Sequence, residues 1–217
     1  MRVVIAEDSV LLRQGITRLL GDAGVEVSDA VGDAETFLRA VEIHRPDAVI
    51  VDVRMPPTFT DEGVRAALVV RQQWPGTAVL VLSQYVEERY ATELLADNAA
   101  GIGYLLKDRV ADVVEFINAL HEIGRGGTVV DPEVISQVFV RSRRRRQLES
   151  LTDRETAVLQ AMAEGKGNAA IADELVVALG TVEKHVTNIF LKLGLSAIED
   201  GHRRVLAVLR YLDQQPS

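Results

Sequence analysis

The chain has 217 residues, enough for two small domains that each bury a core. Hydrophobic residues make up 47%, charged residues 26%, and there is no cysteine, which excludes disulfides and thiolate metal sites and fits a reducing compartment. The net charge of −8 lies wholly in residues 1–130, with 12 Lys/Arg against 20 Asp/Glu; residues 131–217 hold 12 of each, so nucleic-acid binding cannot be inferred from net charge.

The first 125 residues alternate between strand-like and helix-like segments. Val3–Ala6, Ala48–Val51 and Ala78–Leu82 are continuous apolar runs rich in valine and isoleucine, which suit parallel strands buried on both faces. More polar strands are predicted near Val25–Val27 and Gly103–Leu106. Leu12, Ile16, Leu19 and Leu20 mark a helical stripe ended by Gly24; Val113, Phe116, Ile117 and Leu120 mark another, ended by Gly124. The alternation implies an α/β three-layer sandwich on a five-stranded parallel sheet. Residues 125–149 read as a linker, with a short helix at about 132–141 before the Arg143–Arg146 run.

From 150 to 217 only helical periodicity remains. Thr152 and Glu155 form a capping-box pattern, Val158, Leu159 and Met162 continue an apolar face, and Gly165 ends that helix. Asn168 is placed to cap a second helix containing Ile171 and Leu175. A third, about 180–193, carries Val182, Val186, Ile189 and Leu193 inward; a fourth spans about 202–213.

Ligands of open parallel sheets bind beyond the carboxyl ends of the strands. Glu7 and Asp8 follow strand one, Asp52 ends strand three, Ser83 follows strand four and Lys107 follows strand five. Clustered carboxylates need a shared cation, and an all-oxygen site suits Mg²⁺. Lys107 and Ser83 can receive phosphoryl oxygens, so Asp52 is the expected nucleophile of a phosphoryl transfer. In the C-terminal part, a helix following a short turn and presenting Glu183, Lys184, Thr187 and Asn188 can enter a DNA major groove, with Lys184 and Asn188 donating to base edges. Periodicity alone favours a helical protein-interaction module with a solvated polar face over a DNA reader.

These residues carry a resemblance. Glu7-Asp8, Val51-Asp52-Val53-Arg54-Met55-Pro56, Ser83 and Tyr104-Leu105-Leu106-Lys107 resemble the receiver domain of two-component response regulators. The segments 151–155, 167–172, 180–186 and 192–195 resemble the LuxR-type helix-turn-helix domain, giving the order of the NarL/FixJ regulators: receiver 1–124, linker 125–149, DNA-binding domain 150–217. The resemblance implies a flavodoxin-like sheet of order 2-1-3-4-5 and an all-α four-helix second domain. It implies phosphorylation of Asp52 by a histidine kinase, with Mg²⁺ on the acidic pair Glu7-Asp8, Asp52 and the Arg54 carbonyl, and Ser83 and Tyr104 as a switch pair beside Lys107. It further implies homodimerisation and binding to a two-half-site operator, Lys184, Thr187 and Asn188 reading bases and Thr181, His185 and Lys192 holding phosphates.

The chain departs from the pattern at Asp108, where many receivers have proline, and at Gly167 and Ala178, where hydroxyl caps are usual and Asn168 and Thr181 could compensate. An aspartyl phosphatase of the haloacid-dehalogenase kind would need a carboxylate two residues past the nucleophile, where Arg54 stands. A phosphate-independent receiver is opposed by the intact Glu7, Asp8, Asp52, Ser83 and Lys107. The expected protein is cytoplasmic, without a signal peptide or membrane span, and no enzyme beyond its own phosphotransfer and dephosphorylation.

Overall fold

Valine and isoleucine alternate faces along each strand, so one residue set packs under one helical layer and the next set under the other. The computed structural model, which describes residues 1–95, 99–195 and 200–213, shows this partition directly. Val4, Val49, Val79, Val81 and Tyr104 share one core with Phe37, Val41, Val64, Val70 and Leu94. Val3, Ile5, Ile50, Leu80 and Leu82 share the other with Ile16, Leu20, Phe116 and Leu120. Each such fully buried aliphatic side chain stabilises the fold by about 1.5–3 kcal/mol relative to exposure.

The strands are β1 (Arg2–Ala6), β2 (Glu26–Val31), β3 (Ala48–Asp52), β4 (Ala78–Ser83), β5 (Ile102–Leu106) and β6 (Thr128–Val130), all parallel in the order 2-1-3-4-5-6. Between them run α1 (Val10–Asp22), α2 (Ala34–His44), α3 (Glu62–Gln73), α4 (Glu88–Leu95) and α5 (Val113–Gly124). The predicted five-strand order is present, and β6 extends it. Three residues are too few to register as an apolar run; β6 exists because α5 returns the chain to the open edge of β5.

The chain falls into two compact units, Met1–Val138 and Phe139–Ser217. Helix α6 spans Pro132–Glu149, well past the predicted end near 141. The arginine run is helical, with Arg145 paired to Glu149 one turn on at 2.9 Å. A solvated charged stretch reads as a break in the sequence, yet its residues are good helix formers and carry the helix on.

The second unit contains α7 (Asp153–Ala163), α8 (Asn168–Leu175), α9 (Leu179–Lys192) and α10 (Asp200–Leu212) around Leu159, Met162, Ile171, Val182, Ile189 and Leu193. The capping box forms as predicted: the Glu155 amide donates to Thr152 Oγ1 at 3.3 Å, and the Thr152 amide to Glu155 Oε2 at 2.8 Å. Two other caps differ. Gly167, not Asn168, caps α8, and Ala178 caps α9; neither supplies a side-chain bond. Asn168 does not compensate, since its Oδ1 accepts from Arg204 at 2.9 Å.

Candidate functional site: an acidic rim and a recognition helix

Register brings the rim residues together. Ala6 pairs with Val51, Asp52 with Leu82, and Ser83 with Leu106, so Glu7, Asp52, Ser83 and Lys107 finish on one edge of the sheet. Glu7, Asp52 and Ser83 are buried. Ser9 caps α1 with its hydroxyl, which leaves the Asp8 carboxylate for the pocket. Oxygens of Glu7, Asp8 and Asp52 all lie within 4.8 Å of one another. Arg13 donates to the Glu7 and Asp8 carbonyls and fixes the loop that carries them.

The Lys107 ammonium sits between the acids, 3.0 Å from Glu7 Oε1 and 2.9 Å from Asp52 Oδ2. Burial pushes the Glu7 and Asp52 carboxyls above their ordinary range, more than Lys107 pulls them down. Burial opposes the charge on Lys107 as well, but its two carboxylate partners win and raise its pKa. Three carboxylates with one ammonium form a site short of positive charge, and a hard divalent cation fits that donor set.

The loop between β3 and α3 frames the rim. The Arg54 amide donates to Asp52 Oδ1 at 3.4 Å, and its guanidinium pairs with Glu87 at 2.9 Å while covering the Tyr85 ring. Burial opposes ionisation of Glu62, yet donors from Thr58 and Thr60 bring its pKa down to about 2. Gly63 was missed in the sequence, although it abuts Asp52; only the packing of α3 on β3 reveals it. Ser83 Oγ donates to the Tyr85 carbonyl at 2.6 Å. Tyr104 is fully buried and its hydroxyl has no hydrogen-bond partner among the described residues. After Lys107 the chain turns through a 3-10 helix, Lys107–Ala111.

In the second unit Val182, Val186 and Ile189 anchor α9, which leaves Thr181, Glu183, Lys184 and Thr187 exposed and His185 and Asn188 half-buried. The Thr187 hydroxyl donates back to the Glu183 carbonyl at 2.9 Å. Lys192 stands apart from this surface chemistry. Its ammonium lies 2.6 Å from Glu155 Oε2 and 3.0 Å from the Ser150 carbonyl, an internal tie that the sequence did not foretell.

Comparison with known proteins agrees with this arrangement. Residues 3–118 match the response regulator receiver domain, and residues 149–201 match the bacterial regulatory proteins of the luxR family. The oxygen regulatory protein NreC of Staphylococcus carnosus is 32% identical over 207 residues, covering 91% of this chain and 93% of that protein. The probable transcriptional regulatory protein NarL of Mycobacterium tuberculosis is 34% identical over 199 residues, covering 90% and 89%. Among solved structures, the RcsB response regulator of Salmonella typhimurium superposes with a TM-score of 0.67 at 22% identity, over 98% of this chain and 99% of that one. An RcsB–DNA complex gives 0.58 at 22% identity, over 100% and 99%.

A parallel sheet with an acidic rim, followed by a four-helix unit, is the build of a response regulator. This chain belongs to the NarL/FixJ family of response regulators, with a receiver domain and a LuxR-type DNA-binding domain. Among the described residues, no helix is long and apolar enough to cross a membrane.

Proposed function

We propose that this chain is a cytoplasmic transcription regulator switched by phosphorylation of Asp52. The observation that carries the reading is the Lys107 ammonium held at 2.9 Å from Asp52, with Glu7 and Asp8 completing an acidic cluster at the strand ends. An Asp52 carboxylate oxygen attacks the phosphorus of a kinase phosphohistidine. The P–N bond breaks, an acyl phosphate forms, and the electron pair returns to the imidazole nitrogen, which takes up a proton. Glu7, Asp8, Asp52 and the Arg54 carbonyl would hold Mg²⁺, which supplies charge neutralisation and orientation of the phosphoryl oxygens. Lys107 and Ser83 receive those oxygens, with Ser83 exchanging its Tyr85 bond for one to phosphate. Tyr104 is the aromatic partner of that change. Later hydrolysis of the acyl phosphate by water would reset the site.

The receiver is assigned to 1–124, the linker to 125–149 and the DNA-binding domain to 150–217. Phosphorylation promotes homodimerisation, and two copies engage an operator of two half-sites. Lys184, Thr187 and Asn188 read base edges while Thr181 and His185 meet phosphates; Lys192 serves the fold of the unit through Glu155.

Acetyl phosphate with Mg²⁺ should add one phosphoryl group to the wild-type chain by intact mass and none to Asp52→Asn. Equal labelling of the two would discard the pocket. On DNA, Lys184→Ala should reduce the preference for specific over scrambled duplex by roughly 1–3 kcal/mol. Indifference to every substitution on the exposed face of α9 would mean that another surface reads the operator.

A further inference from the structure

Asp108, not proline, follows Lys107, so the backbone itself does not fix the turn that carries the ammonium. A side-chain clamp does. Two residues on, Arg109 Nε donates to Asp131 Oδ2 at 2.7 Å and Arg109 Nη2 to Oδ1 at 3.2 Å, a two-point bond with a fixed orientation. Arg109 remains 45% exposed, whereas the Asp131 side chain is completely buried.

Asp131 lies between β6 and α6, and its polar groups are all engaged. Its amide donates to the Tyr104 carbonyl at 2.9 Å, its Oδ1 also accepts from the Glu133 amide at 3.0 Å, and its carbonyl accepts from the Ile135 amide at 3.0 Å. The residue therefore closes the first turn of α6 while hanging from β5. Val134, in that same turn, is fully buried in the core that holds Tyr104, and Val138 packs on it. Burial would raise the Asp131 carboxyl, but Arg109 and the Glu133 amide outweigh it and keep the acid ionised. Parting the buried Asp131 carboxylate from the Arg109 guanidinium is costly, so the turn and the start of α6 are bound to move together.

We propose that Arg109 and Asp131 position Lys107 and relay its displacement to α6. When a phosphoryl group on Asp52 draws the ammonium from its seat between Glu7 and Asp52, the 3-10 turn shifts with it. Arg109 carries Asp131, and Asp131 carries the first turn of α6. The relay thus ends on the first turns of α6, which begins in the first unit and runs on to Glu149. This inference rests on the reading of Asp52 as phosphoacceptor.

Full-length wild type, Arg109→Gln and Arg109→Lys are compared by amide hydrogen exchange over residues 131–138, with and without beryllofluoride as the phosphoryl mimic. Wild type should show about a fivefold or larger change in exchange there. At saturating beryllofluoride, Arg109→Gln should lose most of that change. Arg109→Lys keeps the charge without the fork and should respond in part. A full wild-type response in Arg109→Gln, or a wild type labelled at Asp52 with no change over 131–138, overturns the relay. If Arg109→Gln does not fold, Arg109→Lys decides: a full response overturns the relay and a reduced one supports it. Wild type that does not label at Asp52 overturns the pocket reading itself, and the relay with it.

Discussion

A β-carbon on Gly63 would stand 1.6 Å from the carbonyl oxygen of Asp52. Helix α3 begins hard against the strand end that bears the key carboxylate, with the Gly63 amide donating to the Val53 carbonyl at 3.0 Å. Backbone cannot yield as a flexible side chain can. Gly63→Ala should therefore cost about 1–3 kcal/mol in a urea melt of the first unit and slow labelling of Asp52. Wild-type values for both would show that α3 can retreat without disturbing the rim.

Lys107→Ala removes the only basic side chain in contact with Asp52 among the described residues. The carboxylate keeps its own nucleophilic oxygens, so some Mg²⁺-dependent labelling should survive. The conformational response should not, because the phosphoryl group loses its fixed partner. Light scattering before and after phosphorylation checks this; equal dimerisation of mutant and wild type would remove Lys107 from signalling.

The tie between Lys192 and Glu155 predicts a pH dependence. Burial acts to raise Glu155, but Lys192 and Thr152 prevail and its pKa is lowered from 4.5 in the folded chain. Its contribution is thus complete above the unfolded value and fades as the pH falls through the lower folded one. Lys192→Ala should destabilise the second unit by about 1–3 kcal/mol at neutral pH and flatten the acid limb of its stability curve. Unchanged stability with a shallower salt dependence of DNA binding would place the ammonium on phosphate instead.

The turn between α8 and α9 is built from unfavourable residues. Val176 caps α8 at φ 53° and ψ 51°, a left-handed conformation that a β-branched residue adopts at a cost, and it is 88% exposed. Val176→Gly should stabilise the second unit by about 1 kcal/mol, because strain is relieved and no packing is lost. Ala178→Ser should add about 1 kcal/mol by supplying the missing cap of α9. Each should raise the midpoint of that unit by roughly 4–8 °C in calorimetry. No rise in either would show that the turn is held by contacts outside its backbone.

Much was legible in the chain because it depends on local periodicity. Uninterrupted Val/Ile runs gave the central strands, the four-residue spacing from Val182 to Val186 gave α9, and the Thr152–Glu155 pair gave a cap. The rim acids and Lys107 could be gathered from sequence because parallel strands all end on the same side. Charge obscured α6: the arginines read as a break, although one-turn pairing with Glu149 supports a helix.

What sequence by itself determined was the first five strands and the helices of the second unit, their order, and which polar side chains stand at strand ends or on the outer face of α9. Tertiary structure alone decided β6, the seating of Gly63 against Asp52, the burial of Asp131 under Arg109 and the engagement of Lys192 with Glu155. Each of those joins residues between 11 and 37 positions apart, or depends on where a crossover helix returns the chain. No local pattern encodes such a meeting; it follows from which faces pack, and a charge is buried only where packing brings it a partner.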